Sequence, residues 1–317
     1  MSKKKKLLAG AAVGGFVALA AGCAYLYRFA FVKPKLNEDR IDQNMLPYEA
    51  EIKAEKEWFA TQDVEQVSVK SRDGLKLVGY YFPCENAVRT IVCVNGFRGS
   101  GKKDFLMVVR FYHTNGCNVL MVDQRGCGLS EGEMCFGVMG RYDCISWLQY
   151  LTNRFGSTTP FYLDGVSMGA ATVLMASCLD LPENVKGIIA DCGYTTPWEI
   201  MKYASKHIFH VPAFPMLPIT NLVYYIRNGY SMRDASATEA VKNSKVPILF
   251  VHGDADDFVP TEMSRTNYEA CTAPKHIEIV AGATHAESYM VAKKHCEKVL
   301  LKFFDACEKG DCDGFFI

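Results

Sequence analysis

The sequence has no net charge, no internal repeat and no low-complexity tract after residue 6. Lysine and arginine together number 35, and so do aspartate and glutamate. Without a basic excess we do not expect nucleic-acid binding, and without an acidic excess we expect no acidic tail. Charged residues make up 22% of the chain and hydrophobic residues 49%, which excludes extensive disorder and indicates a globular protein.

The 13 cysteines include no C-x-x-C pair. Zinc would therefore lack its usual ligand spacing, and no metal is expected. Several cysteines, such as Cys93 and Cys178, lie in apolar stretches where a thiol packs as a small hydrophobic group. So many free thiols favour a reducing compartment. His207 and His210 have a helical spacing that could hold a metal, but the sequence offers no evident third ligand.

Residues 1–33 differ from the rest of the chain. Four lysines precede an uncharged apolar run from Leu7 to Tyr27, which is long enough to cross a bilayer as a helix. The sequence therefore predicts a single-pass N-terminal membrane anchor. The lysines predict an extracytoplasmic catalytic domain, which conflicts with the compartment that the thiols favour. Two alternatives stay open: a buried core helix, and a lipoprotein signal that ends in Ala-Ala-Gly-Cys and carries a lipid on Cys23.

The remaining chain divides into three predicted parts, the second of which contains a cap. Residues 34–61 are charged and helix-prone, which indicates a spacer between membrane and enzyme. Residues 62–307 are predicted to form one domain, since α/β proteins of this size often stay undivided. Within it, an aromatic and proline-rich stretch at about 194–245 predicts a small helical cap between two core strands, with a disordered loop as the alternative. Residues 308–317 are a predicted C-terminal tail.

Short apolar strands alternate with helices over most of the domain. The segments VEQVSVKS and LKLVGYYFP, separated by Arg-Asp-Gly, predict an antiparallel hairpin. Apolar strands such as RTIVCVN, CNVLMVD and PILFVHG then alternate with helix-like segments. This order predicts an α/β fold with a mostly parallel central sheet and helices on both faces. Such sheets place ligand sites at the carboxyl ends of their strands, so functional residues are expected in the loops there.

Two segments fit the G-x-S-x-G pattern, GVSMG at 165–169 and GLSEG at 128–132. Ser167 follows the strand FYLDG and opens a small-residue helix that begins MGAA. That context provides the sharp strand-to-helix turn that exposes a nucleophilic hydroxyl. Ser130 has neither a preceding strand nor a following helix. Ser167 is therefore the predicted nucleophile, and Ser130 is the alternative.

A serine hydroxyl needs a base, and the base needs an acid to orient it. His285 lies in AGATHAES, directly after the strand HIEIV and thus at a strand's carboxyl end, which makes it the predicted base. The loop HGDADDFVP at 252–260 follows another core strand. It offers three candidate acids, Asp254, Asp256 and Asp257.

Four motifs, in this order, resemble the α/β-hydrolase family and specifically its bacterial, membrane-anchored, serine-aminopeptidase-like branch. They are NGFRG, DQRGCGLSEG, GVSMG and HGDADDFVP with the later His285. The resemblance covers about residues 62–305 and implies an α/β-hydrolase fold with a helical cap. In the family pattern H-G-x-x-D-x-x-V-P the aspartate is the triad acid, which implies Asp256 here, with Asp254 as the alternative. His252 would then be a structural part of the motif.

The oxyanion of the reaction needs hydrogen-bond donors. The backbone N–H of Met168, beside the nucleophile at a helix N-terminus, is one predicted donor. The second comes from the loop after RTIVCVN, where many relatives carry His-Gly and this chain carries Asn-Gly, so the N–H of Phe97 is the predicted donor. The motif DQRGCGLSEG resembles a structural loop of the family. Arg125 in it is expected to pair with Asp123 or another acid, the alternative being a role in binding an acidic substrate.

The sequence thus predicts a serine hydrolase that cleaves an ester, thioester or amide bond through an acyl-enzyme, without metal or organic cofactor. An inactive, membrane-tethered binding or scaffold protein of the same fold is one alternative. A serine peptidase or an acyltransferase is another, because the same nucleophile serves all of these reactions. The aromatic residues of the cap indicate an apolar acyl substrate, or else they pack the cap onto the core. These residues are Trp198, Phe209, Phe214, Tyr224 and Tyr225.

Overall fold

The computed structural model describes residues 3–35, 41, 43–310 and 315. Within the N-terminal helix, side chains are described at residues 5, 14 and 15 and from residue 17 onwards. Parts of the predicted anchor, spacer and C-terminal tail therefore lie outside the described residues, and their boundaries stay predictions.

Eight strands form one central sheet. In chain order they are β1 (Glu65–Lys70), β2 (Lys76–Phe82), β3 (Arg89–Val94), β4 (Cys117–Val122), β5 (Phe161–Val166), β6 (Val185–Asp191), β7 (Ile248–Gly253) and β8 (Lys275–Val280). Their order across the sheet is β1-β2-β4-β3-β5-β6-β7-β8. β2 pairs antiparallel with β1 and with β4, and the other pairs are parallel. The predicted hairpin and the predicted mostly parallel sheet are thereby confirmed.

Within the described residues the chain also forms eleven α-helices and a 3-10 helix at Gln43–Tyr48. The α-helices are α1 (Lys3–Phe31), α2 (Glu49–Ala60), α3 (Gly101–Thr114), α4 (Gly140–Phe155), α5 (Met168–Ala176), α6 (Pro197–His207), α7 (Met216–Asn228), α8 (Ala237–Val241), α9 (Thr261–Ala270), α10 (Ser288–Val291) and α11 (Lys293–Lys309).

Helices cover both faces of the sheet, and each face has its own apolar core. On one face, α3 and α11 bury side chains such as Val109 and Phe303 against the strands. On the other face, α4 and α5 contribute Trp147 and Val173. Strands enclosed on both faces must be apolar along their whole length, which explains the uninterrupted apolar runs of the sequence.

Helices α6, α7 and α8 lie between β6 and β7, in the interval where the sequence predicts a cap. The aromatic residues of this interval have different surroundings. Tyr224 is buried, whereas Phe214 and Tyr225 are exposed. Trp198 lies beneath the guanidinium of Arg233, at 3.7 Å from ring centroid to Cζ. Composition indicated the aromatic content but not which side chains face the interior.

Helix α1 occupies the segment predicted to be a transmembrane anchor. Its last part packs against protein, since Cys23 and Leu26 are buried and the Phe31 ring stacks on Tyr224 of α7 with centroids 3.9 Å apart. In the described part of the chain, no helix combines the length and the apolar character that crossing a membrane requires. The structure therefore lends no support to the predicted transmembrane helix over residues 7–27.

Residues 43–60, which we call the N-terminal arm, comprise the 3-10 helix and α2 and pack on the sheet domain. The buried Glu55 forms an ion pair with Arg110 of α3, at 2.9 Å between Oε2 and Nε. The same guanidinium lies over the ring of Trp58, 4.3 Å from its centroid. Most of the described part of the predicted spacer is thus packed onto the domain.

Candidate active site

Ser167 lies at the turn between β5 and α5. Its φ of +56° belongs to the left-handed region, which only a tightly constrained turn imposes on a residue with a side chain. The two flanking glycines are required sterically: a Cβ on Gly165 would lie 2.3 Å from the Gly169 carbonyl oxygen, and one on Gly169 would lie 1.9 Å from that of Val94. The G-x-S-x-G spacing therefore allows β5 and α5 to approach closely around an outward-facing serine.

Ser130, in the second G-x-S-x-G match, is placed quite differently. It is fully buried. Its hydroxyl donates to the carbonyl oxygen of Asp123 at 2.6 Å and accepts from the N–H of Val78 at 2.8 Å. Ser130 thus fastens its loop to β2 and has no access to a substrate.

The structure brings Ser167, His285 and Asp256 together in one chain of hydrogen bonds. The Ser167 Oγ and the His285 Nε2 are 2.8 Å apart, and the His285 Nδ1 and the Asp256 Oδ2 are 2.7 Å apart. With the imidazole proton on Nδ1, His285 donates to Asp256 and accepts from the serine hydroxyl. The three residues follow β5, β8 and β7, so three separate strand ends meet at one point of the sheet.

Asp256 is held by three further contacts. Its Oδ1 accepts from the N–H groups of Phe258 and Val259, at 2.9 and 2.8 Å. The Nε2 of the fully buried His252 lies 3.0 Å from Asp256 Oδ2 and 3.0 Å from the Val259 carbonyl oxygen. Burial alone raises the pKa of the Asp256 carboxyl, but the hydrogen bonds from His252 and His285 outweigh burial and hold it well below its usual range. Asp256 is therefore ionised at neutral pH.

His252 contacts Asp256 directly. The sequence analysis gave it only a structural role in the motif. Its Nδ1 lies 2.7 Å from the hydroxyl of Ser264 on α9. The imidazole thus links the loop carrying Asp256 to α9 and fixes the direction of one carboxylate oxygen. The signal in the sequence was the spacing of four residues between His252 and Asp256.

The alternative acid, Asp254, points elsewhere. It is exposed, and its Oδ1 accepts from the N–H of Gly282 at 2.7 Å. Asp257 is also exposed, and its backbone carbonyl oxygen accepts from the Tyr203 hydroxyl at 3.3 Å. Of the three acids in this loop, the structure joins Asp256 to His285.

Two carboxyls near the nucleophile, on the half-buried Asp191 and the buried Asp164, were not identified from the sequence. Asp191 ends β6, and burial raises its pKa to about 6 against the lowering effect of His252 and His285. Asp164 lies three residues before Ser167 on β5, and burial raises its pKa to about 7 against the hydrogen bond from Tyr112. The signal for Asp191 was its position at the end of the apolar strand GIIAD, where burying a carboxylate costs free energy unless it has a partner. The pKa of Asp191 is thus raised and that of Asp256 is lowered, so Asp256 is the more readily ionised of these two acids.

The structure places both predicted oxyanion donors beside the nucleophile. Met168 is the first residue of α5 and directly follows Ser167. Phe97 follows Gly96, and a Cβ on Gly96 would lie 3.4 Å from the Cβ of Ser167. Asn95 is fully buried and donates to the Gly96 carbonyl oxygen at 2.7 Å. The asparagine therefore holds this loop through its own hydrogen bond.

The prediction that Arg125 pairs with an acid is confirmed, and its partners are Asp143 and Asp73, not Asp123. Its guanidinium forms paired hydrogen bonds with Asp143, both at 2.7 Å, and with Asp73, at 2.9 and 3.0 Å. Asp123 instead accepts from backbone N–H groups, among them that of Leu129 at 2.7 Å. The hydrogen bond from Arg125 lowers the pKa of Asp73 to about 2. Because only 1% of the Arg125 side chain is exposed, it has no surface to offer an acidic substrate.

The donor atoms of Cys192, Asp256 and His285 lie within 4.8 Å of one another, a grouping that could in principle hold a metal. Burial raises the pKa of the Cys192 thiol well above its usual value of 9.0, so the thiol keeps its proton at neutral pH. Asp256 and His285 are already bonded to each other. This group therefore does not fit a metal site. Among the described residues, His207 and His210 belong to no such group.

A cavity of about 960 Å³ opens at Ser167 and His285. One wall comes from the loop with Phe97 and from α3, and the opposite wall comes from the N-terminal arm. None of its described lining residues belongs to the predicted cap at 194–245. The aromatic residues of the cap therefore do not line this cavity, and apolar side chains that do are Met45, Ile52, Phe59, Val64, Leu106, Met107 and Phe258.

Comparisons with known proteins agree with this architecture. The family model of the alpha/beta hydrolase fold matches residues 89–214. The uncharacterised protein YqkD of Bacillus subtilis is 27% identical over 308 residues, which cover 95% of this chain and 97% of YqkD. Among solved structures, the esterase Pf2001 of Pyrococcus furiosus has a TM-score of 0.64 at 19% identity, covering 87% of this chain and 98% of its own. Est1E of Butyrivibrio proteoclasticus has a TM-score of 0.58 at 18% identity, covering 76% of this chain and 99% of its own.

Proposed function

We propose that this chain is a serine hydrolase of the α/β-hydrolase superfamily and that it cleaves carboxylic esters through an acyl-enzyme intermediate. One observation carries the proposal: a hydrogen-bonded chain of Ser167, His285 and Asp256 opens onto a large, mainly apolar cavity. The similar solved structure of Pf2001 is named as an esterase, which favours an ester over a thioester or an amide. Assignment to the serine-aminopeptidase-like branch stays a prediction from the sequence motifs.

The proposed reaction has two steps. The Ser167 Oγ attacks the substrate carbonyl carbon while the His285 Nε2 takes the hydroxyl proton. Asp256 keeps the imidazole in the required tautomer and stabilises its protonated form, and the N–H groups of Phe97 and Met168 bind the oxyanion. The bond to the alcohol then breaks, and the alcohol leaves with the proton from His285. In the second step, His285 takes a proton from water, which attacks the acyl-enzyme, and returns it to Ser167.

Labelling with a fluorophosphonate probe tests the nucleophile directly. The full chain in detergent is the appropriate sample, because α1 packs into the domain through Phe31. We expect labelling of the wild type and of Ser130→Ala, whose hydroxyl is buried, and no labelling of Ser167→Ala. In-gel fluorescence measures the outcome, and a thermal melt confirms that each variant is folded.

Labelling that survives Ser167→Ala and is lost in Ser130→Ala would overturn the assignment. A folded but unlabelled wild type would support the alternative of an inactive binding or scaffold protein. A labelled protein that passes its acyl group to an added alcohol or amine, and not to water, would instead be an acyltransferase. Release of amino acids from peptides would indicate a serine peptidase.

Membrane attachment through residues 1–33 stays a proposal from the sequence. It rests on the lysines at 3–6 and on the apolar run that follows them. We expect the full chain to sediment with membranes after a high-salt wash and the Cys23→Ala variant to do the same. A soluble wild type would contradict attachment, and release of the Cys23→Ala variant alone would indicate a lipid on that cysteine. Protease added to intact cells tests the predicted extracytoplasmic side.

A further inference from the structure

The N-terminal arm supplies one wall of the cavity at Ser167. Ile52 of α2 is buried and Phe59 is half-buried, and both line the cavity. Leu106 and Met107 of α3 line it as well. The space beside the nucleophile is thus enclosed between α2 and α3, which are separated by forty residues of sequence.

Contacts at two places hold this wall in position. The ion pair between Glu55 and Arg110 joins α2 to α3. Near the start of the arm, the side-chain amide of Asn44 donates to the backbone carbonyl oxygen of His285 at 3.2 Å. The arm is therefore fixed both to the opposite wall and to the loop that carries the base, so the cavity is already formed before a substrate enters.

We propose that the space between the N-terminal arm and α3 binds the apolar acyl chain of the substrate. The proposal rests on the proposed function, since it places the acyl group with respect to Ser167. Apolar side chains on both walls favour a hydrocarbon group, which gains from leaving water. The acyl group stays bonded to Ser167 through both steps, whereas the alcohol departs after the first. A cavity that is formed before the substrate enters can therefore hold the acyl group throughout the reaction.

The cap offers no comparable site next to the nucleophile. Its exposed aromatic residue Tyr225 does not line the cavity, whereas Ile52 does. This contrast makes the two residues a matched pair. A substitution at Ile52 changes the shape of the acyl site, and one at Tyr225 changes an apolar surface outside the site.

The test is a series of p-nitrophenyl esters from acetate to dodecanoate, measured as kcat/KM with the full chain. Ile52→Trp reduces the space, so we expect kcat/KM for long acyl chains to fall about tenfold or more relative to acetate. Phe59→Ala enlarges the space and should shift the preferred chain length upward, which keeps the test valid if the tryptophan variant does not fold. Tyr225→Ala should leave the chain-length profile unchanged.

Fluorophosphonate titration of each sample gives the concentration of active sites and separates two kinds of failure. Active, labelled variants with the wild-type chain-length profile would overturn the acyl site while leaving the serine hydrolase intact. A wild type that is neither labelled nor active would refute the proposed function itself. A parallel series of acetate esters with longer alcohols adds a further check. If Ile52→Trp discriminated among the alcohols and not among the acyl chains, the cavity would hold the leaving group, and the proposal would be wrong.

Discussion

The Asp256→Asn variant is expected to hydrolyse esters with a kcat about 10⁴-fold below the wild type, the loss that removing this charge causes in a serine triad. The Asp256 Oδ2 accepts from the Nδ1 of His285 at 2.7 Å. An asparagine would present either a neutral oxygen or an N–H group, so it would no longer hold the imidazole in the tautomer that accepts the serine proton. It would also leave the positive charge formed on His285 without a counter-ion. Initial rates with p-nitrophenyl acetate, normalised to folded protein, measure the loss.

Asp254→Asn is the matched control, because it makes the same change two residues away in the same loop. Asp254 is exposed and caps the Gly282 N–H. We expect its kcat to stay within about threefold of the wild type, since its carboxylate does not contact His285. The reverse result, a large loss for Asp254→Asn and a small one for Asp256→Asn, would refute the assignment. A third outcome, in which Asp191→Asn shows the largest loss of the three, would make Asp191 the functional acid.

Ser167, Asp256 and His285 could be predicted to lie close together because the topology of the sheet largely determines where they lie. Parallel strands bring their carboxyl ends to one edge of a sheet, so residues after β5, β7 and β8 had to lie near one another. Strand and helix patterns were sufficient to find these ends. Choosing Asp256 over Asp254, in contrast, needed the family resemblance, because both follow the same strand and only side-chain direction separates them.

The N-terminal arm could not be placed from the sequence. Its charge and helical tendency predict a helix but not the surface on which that helix packs. That surface is set by Glu55 with Arg110 and by Trp58, contacts that join distant parts of the chain. An acidic residue in a charged segment is normally exposed, and burial of Glu55 is stable only because the guanidinium is opposite. The same limit applies to Tyr224, whose aromatic side chain could equally have faced a substrate.

The partners of Arg125 could not be identified from the local motif, because they lie in other parts of the chain. The motif DQRGCGLSEG contains an aspartate at 123, and the sequence left open whether Arg125 pairs with it or with another acid. The structure uses Asp143 from α4 and Asp73 from the β1–β2 turn. Asp123 instead accepts from the N–H of Leu129 in its own loop and from the N–H of Gly101 at the start of α3.

Replacing Arg125 by methionine is expected to lower the free energy of unfolding by about 3–5 kcal/mol. Methionine fills much of the same volume, but it leaves the buried carboxylate of Asp143 without its counter-ion and without two hydrogen bonds of 2.7 Å. Urea unfolding followed by tryptophan fluorescence gives the free energy. Arg154→Met is the control: its ion pair with Glu65, also at 2.7 Å, is partly exposed, so the expected loss is below about 1 kcal/mol.

A double variant separates loss of packing from loss of charge compensation at Arg125. If the uncompensated carboxylate causes the instability, adding Asp143→Asn to Arg125→Met should recover part of the lost stability, because the neutral amide costs less to bury. Equal losses for Arg125→Met and Arg154→Met would show that burial of the ion pair between Arg125 and Asp143 does not affect stability.

Gln124, which is adjacent to Arg125, donates from its side chain to the Asn95 carbonyl oxygen. Loosening the Arg125 loop should therefore also reduce kcat in folded protein, because Asn95 holds the loop that carries the Phe97 donor.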